Sequence, residues 1–229
     1  MKTITWLSPE DPPERFPPLE RALDDPPGLL AAGGDLSTDR LLAAYERGIF
    51  PWYSQGQPVL WWSPDPRAVL FPAEFRLTRS LAKTLRNRGF DLKVDHAFQA
   101  VIDGCAAPRA RSPGTWLLPE MRLAYLRLHQ QGHAHSIETW LDGQLAGGLY
   151  GIRLGGVFFG ESMFSRERDA SKAALAHLVA ICLREGIEVI DCQVPSGHLA
   201  SLGSRTIPRP QFQALLRQHA RREPGPLAD

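Results

Sequence analysis

Cysteine is scarce in this chain of 229 residues: Cys105, Cys182 and Cys192 stand far apart, and no C-x-x-C pair occurs. That excludes a zinc ribbon and argues against a disulfide framework. No apolar run approaches the roughly 18 residues of a membrane span. The longest, Ala173 to Leu183, has 11 residues and carries His177. Met1 to Pro9 lack the apolar core of a signal peptide, so the expected location is cytoplasmic, with no membrane partner. Net charge is small too. Lys and Arg number 26 against 25 Asp and Glu, giving +1, which announces no nucleic-acid partner. Its distribution says more. Residues 1–35 hold seven acids and three bases, net −4, and the other 194 hold 23 bases and 18 acids, net +5.

Proline is abundant, with 20 residues, seven of them between Pro9 and Pro27. Without the amide donor and with φ fixed, that stretch reads as an extended arm wrapped on the surface. A helix follows, with Ser37 or Thr38 as N-cap, a stripe of Leu41, Leu42 and Tyr45, and Gly48 at C′. Ile49 to Arg67, rich in aromatics and proline, reads as strand and turn. Residues 75–90 carry Arg76, Arg79, Lys83, Arg86 and Arg88 and no acid. Arg79, Lys83 and Arg86 share a helical face, with Leu81 and Leu85 turned away. A later helix carries Tyr125 and ends near Gly132.

From Ser136 the period becomes that of a strand. Ile137–Leu141, Asp142-Gly143 and Leu145–Ile152 form a hairpin on a type I′ turn. Gly155-Gly156 turns into a strand over Val157–Gly160. A helix over Ala170–Glu185 has Asp169 as N-cap and Gly186 past its end. Val189–Gln193 is a short buried strand, and a helix from Gln211 to about Arg221 closes the chain. The expected class is α+β, a mixed, mainly antiparallel sheet covered by helices.

The sharpest chemical pattern is Asp191-Cys192-Gln193. Alternation along a strand places Asp191 and Gln193 on one face and Cys192 on the other. A carboxylate beside a carboxamide offers an acceptor to an amine and a donor to a carbonyl oxygen. A polar pair capping the strand end is the plainer reading. Gly160 to Ser165, GESMFS, reads as a loop between strand and helix. It is not G-x-S-x-G, so a nucleophilic serine is poorly supported. Its Glu161 suits a cationic group or a pairing with Arg166 or Arg168. His129, His133 and His135 are close, but Gly132 breaks their helix and no convincing carboxylate joins them, so no metal is expected. Trp52, Tyr53, Trp61, Trp62 and Trp116 stand near turns. With the basic face they permit single-stranded RNA to stack and pair charges.

In order along the chain stand GGDLS (Gly33–Ser37), RGIFPWYS (Arg47–Ser54), LWWSPDPRAVL (Leu60–Leu70), GTW (Gly114–Trp116), LHQQGHAHSIE (Leu128–Glu138), GGLYG (Gly147–Gly151), GESMFS, ASK (Ala170–Lys172), DCQ (Asp191–Gln193) and SLGSRTIPR (Ser201–Arg209). This ordered set resembles the leucyl/phenylalanyl-tRNA–protein transferases.

The resemblance implies a small N-terminal domain over residues 1–62 and a GNAT-like catalytic domain over 63–229. It implies transfer of leucine or phenylalanine, with methionine a further candidate, from aminoacyl-tRNA to proteins beginning with Arg or Lys. Those proteins are thereby marked for N-degron degradation. It gives Asp191 contact with the amine and Gln193 contact with the reacting centre. Leu149, Phe158, Met163, Leu175, Leu178, Ile190 and Glu161 would form the amino-acid pocket. Trp52 and Trp116, with Tyr45 and Tyr125 nearby, would grip the terminal adenosine, and Arg76, Arg79, Lys83 and Arg86 would meet acceptor-stem phosphates. The ester is already activated, so neither cofactor nor metal is expected. The alternative is a coenzyme A-dependent N-acyltransferase of the GNAT type. Against it, Ser165 to Asp169 replaces the R-x-x-G-x-G loop that cradles pyrophosphate.

Overall fold

The computed structural model describes residues 3–107 and 117–228. In chain order the strands and helices are β1 (Thr5–Leu7), β2 (Leu29–Gly33), α1 (Thr38–Glu46), β3 (Phe50–Pro51), β4 (Leu60–Trp62), β5 (Arg67–Leu70), α2 (Arg79–Asn87), β6 (Asp91–Val94), α3 (Phe98–Ala106), α4 (Pro119–Gln130), β7 (Ala134–Leu141), β8 (Gln144–Leu154), β9 (Val157–Ser165), α5 (Ala170–Glu185), β10 (Val189–Gln193), α6 (Gly197–Ser201), β11 (Arg205–Ile207) and α7 (Arg209–His219). They build two sheets, one ordered β1-β2-β4-β3 and the other β11-β5-β10-β9-β8-β7-β6. In the larger sheet β6 to β9 run antiparallel, β10 is parallel to β9, and β5 is antiparallel to β10. The α+β class expected from the sequence is the one observed.

Local chemistry explains the best-marked elements. Ser37 caps α1, its hydroxyl accepting from the Arg40 amide. At the other end Gly48, at φ +75°, donates to Tyr45, and Ile49 donates to Ala44, the double closure of a Schellman end. Asp142 and Gly143 both take positive φ, as a two-residue type I′ turn demands, and join β7 to β8. Gly147 is where α5 comes closest to the sheet: a Cβ there would stand 2.7 Å from that of Ala170.

The proline-rich arm, expected to be extended, is instead broken by turns and a 3-10 helix over Leu19–Arg21, because proline suits turns and first helical positions, and it is tied down. Phe16 is buried edge-on against Trp61, Arg47 donates to the carbonyls of Glu14, Phe16 and Pro17, and Arg40 reaches that of Asp11. The side chains of the small sheet and α1 share one hydrophobic cluster with α3, α4, α7 and one face of the large sheet. A second cluster lies between the other face, α5 and α2.

Three local expectations need correction. Gly160–Ser165 is not a loop; it continues β9 and pairs with β8 as far as Ser165↔Gly147. Its glycine and polar residues mimic a turn, but the eleven-residue β8 offers a full-length partner. Asp169 occupies the N-cap position of α5 in the left-handed region and does not cap it. Its carboxylate accepts from Lys172 and Thr84 instead, and Ser165 Oγ takes the Ser171 amide. The last helix begins two residues before its expected start, because Pro210 is tolerated in a first turn.

Candidate active site

β10 pairs with β9 only through Val189, Ile190 and Asp191. Beyond that point β9 runs on to Ser165 beside β8, while β10 stays with β5. The two parallel strands part, and a gap opens in the sheet. It forms a cavity of about 350 Å³ whose walls include Leu149, Phe158, Met163, Leu175, Leu178 and Ile190. Glu161, Asp191 and Gln193 line the same cavity. The structure thus gathers nine of the positions singled out from the sequence, contributed by β8, β9, α5 and β10.

Two β-bulges shape the polar end. Tyr150 faces Ser162 and Gly151 faces Gly160, so Glu161 is the extra residue of β9. Asp191 faces Val69 and Gln193 faces Ala68, so Cys192 is the extra residue of β10. The second bulge breaks the simple alternation expected for Asp191 and Gln193, and Cys192 lines the same cavity instead of pointing away from it. Gln193 takes φ +61°, a conformation costing a non-glycine residue about 1–3 kcal/mol. Its amide donates to Asp191 Oδ1 at 2.9 Å, and the Val194 amide donates to the Cys192 carbonyl at 2.7 Å. These bonds hold the turn.

The polar groups form one chain. Gln193 Nε2 donates to Glu161 Oε1 at 2.9 Å, and Tyr125 Oη donates to Glu161 Oε2 at 2.6 Å. Tyr125 has one proton, so with Glu161 ionised the 3.0 Å contact between the tyrosine hydroxyls has Tyr45 as donor. Burial raises the Glu161 carboxyl from 4.5 to about 7; the tyrosine hydrogen bonds and Arg67 oppose the rise and Asp191 adds to it. Burial, then the Glu161 charge, pushes Tyr45 and Tyr125 well above the usual phenol range. Glu161 pairs with neither Arg166 nor Arg168: Arg166 donates to the Leu145 carbonyl and Arg168 approaches Asp169.

Asp191 has no exposed surface and is held by a residue that sequence reasoning missed. Arg67 Nε donates to Oδ1 at 2.8 Å and Nη2 to Oδ2 at 2.6 Å. The partners stand 124 positions apart, and the only sequence signal is an arginine ending a proline-rich turn ahead of an apolar strand. Ser196, His198 and Leu199, around α6, were missed as well; they line the outer part of the cavity.

A second cavity, of about 210 Å³, is lined by Phe50, Pro51, Trp52, Glu161, Gln193 and Val194. Trp52 is 48% exposed there and meets the Trp62 ring. Trp116 lies outside the described residues. Tyr45 and Tyr125 line neither cavity: both are wholly buried behind Glu161, so they cannot grip an adenosine directly. Arg76, Arg79, Lys83 and Arg86 are all exposed, and the opposite face of α2 presses Leu81 and Leu85 into the cluster beneath the larger cavity. His135 is hydrogen-bonded to Asp95, and His129 to the Ala134 carbonyl. Among the described residues no group of His, Cys, Asp and Glu is arranged to hold a metal.

The family model for leucyl/phenylalanyl-tRNA protein transferase matches residues 69–217, and the model for its N-terminal domain matches residues 34–65. The chain belongs to this family. Members from Chromobacterium violaceum and Aromatoleum aromaticum are each 58% identical to it, over 95% and 97% of this chain and 92% and 93% of theirs. One from Methylococcus capsulatus is 55% identical over 98% of this chain and 96% of its own. All three are named leucyl/phenylalanyl-tRNA–protein transferases. Among solved structures, FemX covers 78% of this chain and 71% of its own at a TM-score of 0.45 and 10% identity. A ribosomal-protein-alanine N-acetyltransferase from Brucella melitensis covers 48% and 82% at 0.37 and 18%. Of the candidate-site residues described above, Arg67 lies between the two matched segments and the others fall within them.

Proposed function

We propose that the gap between β9 and β10 is where a leucyl or phenylalanyl ester on tRNA meets the α-amine of a protein beginning with Arg or Lys. As a member of its family the chain is an aminoacyltransferase. One observation carries the placement: an apolar cavity of about 350 Å³ ends on the Glu161–Gln193 hydrogen bond. The apolar walls suit a leucine or phenylalanine side chain, and the polar end suits the reacting ester.

In the transfer, the amine nitrogen attacks the ester carbonyl carbon, the ester C–O bond breaks, and the ribose oxygen leaves with a proton. The free amine has a pKa of about 7.7–8.0, so a useful fraction is neutral near pH 7.5. What remains is to orient it, take its proton and stabilise the oxyanion. Glu161, held near 7, is matched to accept that proton. Gln193 gives one amide hydrogen to Glu161, and its other hydrogen and its oxygen are left for substrate. Asp191 shapes the site through the Gln193 backbone, both its oxygens being engaged by Arg67. Tyr125 and Tyr45 hold Glu161 from behind.

Trp52 gives an exposed face on which a terminal adenine can stack, and the exposed Arg76, Arg79, Lys83 and Arg86 suit phosphates. Phosphate contacts position a nucleic acid without reading its sequence, so several tRNAs are accepted and the esterified residue decides. A coenzyme A reaction is disfavoured at the start of α5. Ser165 Oγ already takes the Ser171 amide, and the Asp169 carboxylate would face an incoming pyrophosphate. The deciding experiment offers leucyl-tRNA, labelled in the leucine, to a peptide beginning with Arg, without ATP or coenzyme A. Label in the peptide supports the proposal; RNA binding without transfer overturns it.

A further inference from the structure

Arg67 does more than neutralise Asp191. Its guanidinium lies between two aromatic rings, 4.8 Å from the centroid of Phe50 and 4.9 Å from that of Phe212. Nη1 donates to the Gly48 carbonyl at 3.1 Å. The planar group is therefore fixed from three directions, by β3, by the turn after α1 and by α7. Its remaining edge is a two-point fork on Asp191, and only a guanidinium presents that geometry. Asp191 Oδ1 accepts in turn from the Gln193 amide, whose left-handed backbone aims the side chain at Glu161.

We infer that Arg67 is a positioning residue for aminoacyl transfer, setting the Gln193 carboxamide through Asp191 and so tying the rate at the cavity to the packing of β3 and α7. The inference rests on the placement of the reaction at Gln193 and Glu161. A charge partner alone would need neither the fork nor the ring stack. A misplacement of about 1 Å, even by a change remote from the chemistry, can cost about 100-fold in rate.

The test is a double-mutant cycle in single-turnover transfer from leucyl-tRNA to an Arg-initiated peptide, using the full chain carrying Arg67→Lys, Asp191→Asn or both. Lysine keeps the charge and loses the fork. Arg67→Lys is expected to lower the saturated rate by about tenfold or more, with leucyl-tRNA affinity changed by less than about twofold. In the Asp191→Asn background the same change is expected to cost less than about twofold, because residues acting as one unit are not additive. Equal loss in both backgrounds overturns the inference, since that is what general destabilisation gives. A wild-type rate for Arg67→Lys overturns it also. If Arg67→Lys fails to fold by circular dichroism, Phe212→Leu runs the same cycle, thinning the ring stack away from both cavities, and additivity there is equally fatal. A wild-type rate for Asp191→Asn alone sinks the placement of the reaction itself. A slow Asp191→Asn with an additive Arg67 sinks only the clamp.

Discussion

The hydrogen bond from Gln193 Nε2 to Glu161 Oε1 is a partition between two cavities: both residues line the apolar hollow between the parted strands, and both line the smaller one beside Trp52. Whatever enters from either side meets the same two polar groups. That is the geometry needed to join an ester to an amine.

A carboxyl near 7 gives the first prediction. Below its pKa Glu161 is protonated and cannot take a proton; above it, it can. The transfer rate at saturating substrates should therefore climb as pH rises through about 7. In Glu161→Gln that limb should vanish, leaving a slower enzyme whose pH dependence follows the peptide amine alone, near 7.7–8.0. A rate profile from about pH 5.5 to about pH 9, spanning both titrations, makes the comparison.

Leu178 forms part of the apolar wall. Leu178→Phe adds bulk without polarity, so the larger substrate should suffer more. Transfer of phenylalanine should fall about tenfold relative to leucine, the scale on which apolar pockets discriminate by size. Competition between the two charged tRNAs in one reaction reads the ratio directly.

The exposed row on α2 should be a phosphate contact surface. Reversing Arg79 and Lys83 to Glu should weaken tRNA binding for every tRNA alike and flatten its salt dependence. Each lost phosphate contact removes about 0.7–0.9 from the slope of log affinity on log salt. Binding titrations at several salt concentrations test this; an unchanged slope would show that the row touches no phosphate.

Glu138 provides a test of stability. It is fully buried under the start of α3, where the His96 and Ala97 amides donate to it, and burial lifts its carboxyl from 4.5 to about 7. A raised folded-state value means a contribution present in full below 4.5 and lost as pH rises through about 7. The loss is on the order of 2–3 kcal/mol, and a domain of this size shifts its melting temperature by about 2–4 °C per kcal/mol. Between about pH 5 and pH 8 the wild type should therefore lose several degrees more than Glu138→Gln. Melting curves of the two proteins side by side check the sign.

Much of the large sheet could be read from the chain because its signals are local. Asp142-Gly143 suits only a few turns, and the α5 helix carries its own stop at Gly186. The wall of the cavity was legible through family motifs rather than periodicity. What stayed hidden is non-local. Nothing near Arg67 announces Asp191, and no spacing rule shows that Cys192 is an extra residue in β10, because a bulge is defined by the partner strand. The short β1 and β2, and β6 with α3, also escaped: their patterns are brief, and tertiary pairing decides them. Tyr45 was legible as part of an apolar stripe, but the hydrogen-bonded chain from Tyr45 through Tyr125 to Glu161 was not, since it joins residues of separate elements.

The parting of β9 from β10 leaves its mark on how this fold can vary. The β9–β10 ladder stops at Asp191, so the opening is walled by side chains of the cluster that packs α5 on the sheet rather than by strand pairing. Exchanges among Leu149, Met163 and Leu178 can resize the hollow while the paired backbone stays in register. On the proposed placement of the ester, selectivity for the carried residue rests on side-chain volume, whereas strand register rests on the backbone ladders of the same few strands.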